Sequence, residues 1–479
     1  MTLKEILEGK DPSQQVAYLT RRRGCSSLPE VDKMRKQIEP DQHEINDKSK
    51  RPDKPITEER IATGSMKKEK VVIRYEEVNR IFVSLQRLIV DRAVSFLFAN
   101  RVNLISTTED EAELKVLEAI KTINYDNKID SFNRRLAREV MSYTEAAEYW
   151  YPVDRPEVSE DYGFKTDKRL RVVLWTPSSG DKLFPFFDDY GDLIAFSRMY
   201  SITEDEKSPR TCVDTFTADF FYHYERINDR WTEPVVTPNP IGKIPVVYYA
   251  QEKPEYSDVE PMIARLEKLL SNFAETNDYH SAPKIFVTGK ILGWAKKGES
   301  GSVIEGDPNA KAQYLSWDHA PESVRLEIDT LLRLIYSMTQ TPDISFDAVK
   351  GMGGDFSGVA LKLLFMDAHL KARNKEEIFG GGIQRRTAIQ KAYIAQMDRN
   401  LDKGAKSLRV RPEFNLFMIE NEKEKVEVLL AANGNNPIMS QKETVRRSGV
   451  EDPGKAWEEI QEEADLAAQR DNMADAIGL

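Results

Sequence analysis

Two long helical segments enclose a short polar insert, and this arrangement constrains the fold more than any other feature. The segments run over 259–281 and 322–340 and have similar lengths, about 30 Å each at 1.5 Å per residue. Both carry an apolar stripe at helical spacing. The stripes consist of Ile263, Leu266, Leu270 and Phe273 in the first and of Ile328, Leu331, Ile335 and Met338 in the second. The sequence therefore predicts a two-helix stalk with the insert 282–321 as a small cap.

The rest of the 479-residue chain is long enough for two to four domains. Residues 148–250 are rich in aromatic and β-branched residues separated by turn signals, which predicts a meander of short antiparallel strands. Residues 1–70 are charged and proline-punctuated, and we expect a partly flexible arm. Helices are predicted over 77–98, 109–145, 357–378 and 383–401, and from Pro453 onward. The glycines at 380–382 are expected to interrupt the helical pattern, and Ser440, Glu443 and Gly449 are typical of the two ends of a short helix.

Charge and cysteine content exclude some classes of protein. The net charge is −11, and nine acids against two bases in 451–479 account for −7 of it. A general nucleic-acid binder carries a basic face, so this balance of charges argues against one.

Cys25 and Cys212 make neither a disulfide framework nor a C-x-x-C metal signature, and a reducing compartment is expected. The first residues show no apolar signal region and no apolar run approaches 18 residues, so we expect neither secretion nor a membrane span.

The glycine-rich stretch "DAVKGMGGDFSGVALKLLF" (347–365) invites a test for phosphate binding. In the P-loop pattern, Val359 stands where lysine is required, and in the Rossmann pattern Phe356 stands where the third glycine is required. No strand pattern precedes the stretch. Both nucleotide-binding motifs therefore fail, and the alternative is a loop of unusual backbone conformation followed by a helix that Ser357 caps.

No catalytic constellation emerges elsewhere. None of the five histidines has a second histidine at metal-ligand spacing, and no G-x-S-x-G elbow is present. Paired acids are abundant, as expected of solvated faces in a chain with 31% charged residues. Lys296 and Lys297 beside Trp294 fit a phosphate contact or, more commonly, a solvated loop tip. We expect no enzyme activity, no cofactor and no metal.

Four stretches in collinear order resemble the portal proteins of tailed bacteriophages, of the type found in Bacillus siphophages. The stretches are "NRIFVSLQRLIVDRAVSFLFANRV" (79–102), "TPNPIGKIPVVYYAQ" (237–251), "TPDISFDAVKGMGGDFSGVALKLLF" (341–365) and "IMSQKETVRRSGVEDPGKAWEEIQEE" (438–463). They resemble the first wing helix, the passage from wing to stem, the run from stem through tunnel loop to a kinked helix, and the crown. The run from Ser357 to Lys362 is the sharpest match. Two departures are Ala99-Asn100, where a glycine often follows the aromatic run, and Asn239, where the family often has histidine.

The resemblance covers roughly 75–465 and implies an α+β portal-like fold with an α/β wing, a two-helix stem, a small α/β clip and a helical crown. The implied parts are an N-terminal arm (1–70), a wing (71–254), stem helices (255–280 and 322–341), a clip (281–321), a tunnel loop with a kinked wing helix (342–379), and a remaining wing helix with a crown and acidic tail (380–479).

The resemblance also implies a function: a ring of about twelve subunits at one capsid vertex, assembled in the host bacterial cytoplasm and carried in the virion. Double-stranded DNA would pass through the channel without tight binding during packaging and ejection. The implied partners are the terminase large subunit, the head-completion adaptor, and the major capsid and scaffolding proteins. No membrane partner is implied.

Two sets of site residues follow from this resemblance. The tunnel loop would contact DNA transiently, and its candidates are Asp347, Lys350, Gly351, Gly353, Gly354, Asp355 and Phe356. Glycine suits a place where many copies of one loop approach a moving duplex, because it permits close approach and several conformations. The clip would dock partners through Lys290, Trp294, Lys296 and Lys297, since tryptophan is favoured in interface anchors. The alternatives are a non-catalytic cytoplasmic helical scaffold and a nucleic-acid-processing enzyme, which would need an acid cluster on strands that we cannot assemble.

Overall fold

The computed structural model describes residues 3–61, 68–203, 210–281, 284–288, 291–293, 305–306, 311–315, 321–344, 365–416, 422–434, 438–450 and 453–477. The helices are α1 (Leu3–Leu7), α2 (Pro12–Leu19), α3 (Val31–Ile38), α4 (Leu85–Leu97), α5 (Glu111–Asp126), α6 (Ile129–Tyr143), α7 (Glu260–Ser281), α8 (Pro321–Met338), α9 (Met366–Met397), α10 (Asp402–Ser407), α11 (Glu422–Ala432), α12 (Gln441–Ser448) and α13 (Pro453–Ile477). The chain divides into two units, Met1–Pro342 with Asp367–Leu416, and Asp343–Met366 with Phe417–Leu479.

The strands of the first unit are β1 (Lys54–Ile61), β2 (Lys68–Glu76), β3 (Asn103–Ile105), β4 (Glu145–Ser159), β5 (Thr166–Trp175), β6 (Lys182–Phe187), β7 (Leu193–Ile202), β8 (Arg210–Phe216), β9 (Phe220–Ile227), β10 (Arg230–Trp231), β11 (Val235–Pro238), β12 (Val246–Ala250), β13 (Lys284–Thr288), β14 (Ile291–Gly293), β15 (Glu305–Gly306), β16 (Lys311–Leu315) and β17 (Arg411–Glu413). Helices and antiparallel sheets occur together, which confirms the predicted α+β class.

Two sheets built from 145–250 form the centre of the first unit. One has the order β12-β4-β5, and the other has the order β10-β9-β8-β7-β6 with β11 beside β9. The predicted antiparallel meander is confirmed from β6 to β10, whereas β12 pairs with the distant strand β4. The two sheets share one apolar core, to which β5 contributes Trp175, β7 contributes Phe196 and β8 contributes Phe216. An aromatic residue from each of these three strands therefore faces inward, and together they join the sheets.

The N-terminal segment packs on the far face of the six-stranded sheet. Val16 and Leu19 of α2 form a buried cluster with Val213 and Tyr224 of β8 and β9. The guanidinium of Arg22 donates to both carboxylate oxygens of Glu145 at 2.7 and 3.1 Å. The segment predicted as an arm thus contributes α1, α2, α3 and β1 to the described structure.

Strands β1 and β2 form a two-stranded antiparallel ribbon. Its second strand places Val71, Val72, Ile73 and Tyr75 in solvent, each more than 40% exposed. An isolated two-stranded ribbon is marginally stable in water, so the apolar residues of β2 form a surface that contributes little to the core of the subunit.

The prediction of a helix over 77–98 is wrong for residues 77–84. Helix α4 begins at Leu85, and 77–84 have no helical backbone. The reason is competition from α7, whose side chains accept hydrogen bonds from this backbone. The N–H of Ile81 donates to Ser271 Oγ at 2.9 Å, and the N–H of Val83 donates to Glu267 Oε1 at 3.1 Å.

The expected interruption at the glycine triplet is also wrong, because α9 runs without a break from Met366 to Met397. Gly382 is buried against the ring of Tyr249 in β12, and a Cβ at this position would lie 1.9 Å from the Tyr249 Cε1 atom. Glycine thus permits contact between helix and sheet here. By contrast, a Cβ on Gly381 would meet nothing within 4 Å.

We expect the substitution Gly382→Ala to lower the free energy of unfolding by about 1–3 kcal/mol, because the added methyl group displaces a buried ring. The matched substitution Gly381→Ala should instead raise it by roughly 0.5–1 kcal/mol, since alanine is the better residue in a helix interior. Denaturant unfolding of both variants measures the difference. Equal destabilisation by the two would show that helix propensity, and not contact with Tyr249, determines the effect.

The second unit contains α11, α12 and α13. Ser440 caps α12, its Oγ accepting from the Glu443 N–H at 3.2 Å, and Gly449 ends it with φ of 96°. Helix α13 begins at Pro453. The predicted capping residues and the helix from Pro453 are therefore confirmed.

Candidate functional site

Helices α7 and α8 are the predicted stalk, and they pair with each other in the structure. Helix α7 buries Ile263 and Leu266 completely or nearly so, at 0% and 1% exposed. Arg265 bridges the two helices, its guanidinium lying 2.7 Å from the Glu327 carboxylate. The two strand pairs of the insert are β13 with β16 and β14 with β15. A helix, a small stranded insert and a second helix thus follow one another as predicted.

Helix α8 carries three exposed apolar side chains in the described part of the chain. Leu326, Leu334 and Met338 are 68%, 41% and 53% exposed, whereas Ile335 is completely buried. Leu326 lies nine residues from Ile335, about two and a half turns, and therefore points to the opposite side of the helix. A row of exposed apolar side chains at helical spacing is typical of a surface that another chain covers. We call Leu326, Leu334 and Met338 the α8 row.

Helix α7 also carries a buried carboxyl group. Glu267 is 1% exposed, and its Oε2 lies 3.6 Å from Nδ1 of the buried His43. Burial raises the pKa of Glu267 to about 7, although the hydrogen bond from Val83 opposes this. Burial lowers the pKa of His43, whose Nδ1 accepts from the Ile45 N–H. Burial therefore favours the uncharged form of both groups where the helix meets the N-terminal segment.

A second set of polar contacts fixes the ends of the α7–α8 pair to α9. Lys371 Nζ lies 2.7 Å from the carbonyl of Thr339, just after α8, and 3.0 Å from Glu255, shortly before α7. Lys375 adds an ion pair with Glu255 at 2.6 Å. We call these four residues the stalk anchor.

The pKa values of Glu255 and Lys371 reflect both their burial and the ion pairs of the stalk anchor. Burial acts to raise the pKa of Glu255, but the ammonium groups of Lys371 and Lys375 outweigh it and lower this pKa. Burial lowers the pKa of Lys371, and Glu255 partly opposes that change. Arg92 donates a further hydrogen bond to the carbonyl of Pro342. The residues just before the predicted loop are therefore held by α4 and α9.

The site residues predicted from sequence lie outside the described residues. This holds for Asp347, Lys350, Gly351, Gly353, Gly354, Asp355 and Phe356 of the loop, and for Lys290, Trp294, Lys296 and Lys297 of the insert. Sequence reasoning missed the stalk anchor. Lys371 and Lys375 stand in "LKARNKEE" and look like solvated helix charges, because only tertiary structure brings Glu255 to them.

Within the described ranges, one group of side chains could hold a metal ion: Cys212, His223 and Glu225, in β8 and β9. No helix that the structure describes is long and apolar enough to span a bilayer.

Comparison with known proteins gives three results. The family model described as "Phage portal protein, SPP1 Gp6-like" matches residues 26–470. No curated protein sequence matches this chain. Similar solved structures are described as "Neck of empty GTA particle computed with C6 symmetry", "Virion of native gene transfer agent (GTA) particle" and "Neck of native GTA particle computed with C12 symmetry".

These solved structures are distant from the chain. Their identities are 9%, 10% and 10%, with TM-scores of 0.42, 0.39 and 0.39. Each alignment covers 76% of this chain and 89%, 89% and 88% of the matched chain, respectively. Such TM-scores are too low to establish a common fold.

The family match, in contrast, extends over most of the chain, from the N-terminal segment through both long helices and the loop into α13. It confirms the family that the four collinear stretches resemble. The chain belongs to the phage portal proteins of the SPP1 Gp6-like family.

Proposed function

We propose that this chain is the subunit of a closed ring of about twelve copies at one capsid vertex, with a central channel for DNA. Double-stranded DNA passes through the channel during packaging and again during ejection. The role is structural and requires no catalytic group. The subunits assemble in the host bacterial cytoplasm and remain in the virion.

The α8 row is the observation that carries this proposal. Leu326 and Met338 are more than half exposed, although the helix that carries them pairs with α7. A neighbouring subunit that covers this row would bury a different surface of its own, and repetition of such a heterologous contact closes a ring when the rotation between neighbours divides a full turn evenly. The exposed apolar residues of β2 are a second surface available to a neighbour.

The insert is the proposed docking tip of the ring. It lies between α7 and α8, at the end of the stalk away from the stalk anchor. We assign it the sequential binding of the terminase large subunit and the head-completion adaptor through Lys290, Trp294, Lys296 and Lys297. The major capsid and scaffolding proteins contact other parts of the ring.

The segment from Asp347 to Phe356 is the proposed tunnel loop. The structure supports this role only through its flank, because Lys371 and Arg92 hold Thr339 and Pro342 immediately before the segment. A fixed flank allows a loop to contact DNA while the stalk stays in place. With Asp347 and Asp355 against Lys350, the loop is net negative and should slide along phosphates without tight binding.

Packaging by two loop variants tests the assignment. In Gly353→Val/Gly354→Val, bulky side chains restrict the loop in every subunit, and we expect rings to form but DNA packaging to stall. In Asp347→Lys/Asp355→Lys, each new lysine is expected to contact a phosphate of the DNA. Each such contact should make the fall of the logarithm of the DNA-binding constant with the logarithm of salt concentration steeper by about 0.9. Filter binding over a salt series measures that slope.

A matched control separates the loop from a general effect of charge. Glu160→Lys/Asp167→Lys introduces the same charges at two exposed positions, one just after β4 and one in β5, and its salt dependence should equal that of the unmodified ring. The valine variant could package DNA normally, and both lysine variants could show equal slopes. Together these two results would show that the loop does not line the channel.

A further inference from the structure

Strands β8 and β9 bring four metal-binding side chain types to one face of the six-stranded sheet. In the antiparallel register, Cys212 lies opposite Glu225 and Asp214 lies opposite His223. Residues two apart in a strand point to the same face, so all four side chains lie on the face opposite to Val213 and Tyr224. The spacing along the chain gives no sign of this group, because its members come from two strands.

The distances within the group fit a single cation. The ligand atoms of Cys212, His223 and Glu225 all lie within 4.8 Å of one another, and His223 Nε2 lies 3.3 Å from Glu225 Oε1. Tetrahedral zinc holds nitrogen and oxygen ligands at about 2.1 Å, which places the two ligand atoms about 3.4 Å apart. The nitrogen and oxygen are therefore already at the separation that the metal requires.

Asp214 contacts the ring nitrogen of His223 that faces away from Glu225. Its Oδ1 lies 2.6 Å from His223 Nδ1. A carboxylate that accepts the Nδ1–H leaves the Nε2 lone pair for the metal, which is the usual second contact of a metal-bound histidine. Tyr200 also hydrogen-bonds Asp214, which holds the carboxylate in place.

A cavity of about 430 Å³ lies between the two sheets, and His223 and Asp214 help to line it. The remaining walls include Tyr149 and Trp175. Cys212 is 1% exposed, whereas the side chain of Glu225 is about one third exposed. The thiol therefore lies on the buried side of the group, and the carboxylate lies on the side that solvent reaches.

We propose that Cys212, His223 and Glu225 bind one zinc-class divalent cation and that Asp214 orients His223. Thiolate, imidazole and carboxylate together favour zinc over calcium or magnesium, which prefer oxygen ligands alone. Binding releases the thiol proton to solvent, and the fourth position is left to water. The ion would fasten β8 to β9, and this inference does not depend on ring formation.

Titration of the purified full-length protein with Co²⁺ tests the proposal. A thiolate bound to cobalt gives a charge-transfer absorption in the near ultraviolet, and we expect this band to saturate at one Co²⁺ per subunit. Zn²⁺ should then abolish it by displacement. Cys212→Ser should lose the band, and Cys25→Ser, the matched control at the second cysteine, should keep it.

Two further variants keep the test decisive if Cys212→Ser does not fold. Glu225→Gln changes a partly exposed ligand, and Asp214→Asn changes the positioning residue, so each should lower the Co²⁺ affinity about 10–100-fold. The absence of a saturable band in the unmodified protein would overturn the proposal. A band that persists in Cys212→Ser, or equal affinities in Glu225→Gln, Asp214→Asn and the unmodified protein, would also overturn it. In that case Asp214, His223 and Glu225 form an ionic network without metal.

Discussion

Replacing Arg386 by methionine is expected to lower the free energy of unfolding by about 3–5 kcal/mol. Arg386 in α9 is 2% exposed and donates to both oxygens of the completely buried Glu148 in β4, at 2.7–3.0 Å. A further bond at 2.8 Å reaches Asn133 in α6. Methionine removes the cation and leaves the carboxylate in the interior without its charged partner. Chemical denaturation of the purified protein measures the loss.

The surface pair of Arg138 and Asp91 provides the control. Its partners lie 2.8 Å apart, but both are more than 40% exposed, so Arg138→Met should cost less than about 1 kcal/mol. The double variant Arg386→Met/Glu148→Met should recover much of the loss, because an apolar pair of similar volume leaves no buried charge. Equal losses for Arg386→Met and Arg138→Met would show that the buried pair does not support the α9–β4 contact.

Placing a charge in the α8 row is expected to abolish the ring and leave the subunit folded. Leu326→Glu removes a side chain whose burial is worth about 1.5–3 kcal/mol and puts a carboxylate without a partner into the proposed contact. Every subunit repeats this defect. Light scattering should therefore report monomers for the variant at concentrations where the unmodified chain forms rings, with the circular dichroism spectrum unchanged.

Arg325→Glu is the matched control for this experiment. It introduces the same residue one position earlier on the same helix, where a charged side chain is already exposed. Rings should form as before. If Leu326→Glu and Arg325→Glu assemble alike, the α8 row is not a contact between subunits.

The parts of the fold that sequence predicted correctly depend on local signals. The apolar stripes placed α7 and α8 to within a few residues, and Ser440 and Gly449 marked both ends of α12 because capping is a contact between near neighbours. The insert between these helices contains two pairs of strands among its described residues. The order of these elements, together with four short stretches, was enough to indicate the family.

The parts that sequence missed depend on contacts between distant residues. Helix propensity favoured 77–84, but Ser271 and Glu267 of α7 bind that backbone instead. Gly382 looked like a helix break, whereas it makes room for Tyr249. Lys371 gave no local sign of its burial beside Glu255, and Cys212 gave none of its position opposite Glu225. Such pairings arise only when the chain is folded.

Electron microscopy of the purified chain tests the central proposal most directly. Closed rings of about twelve subunits with a central hole in end views are expected. Leu326→Glu should remove these rings and Arg325→Glu should not. Particles that remain monomers or dimers at every salt and protein concentration, or rings without an open centre, would contradict the assignment of this chain as the subunit of a DNA channel.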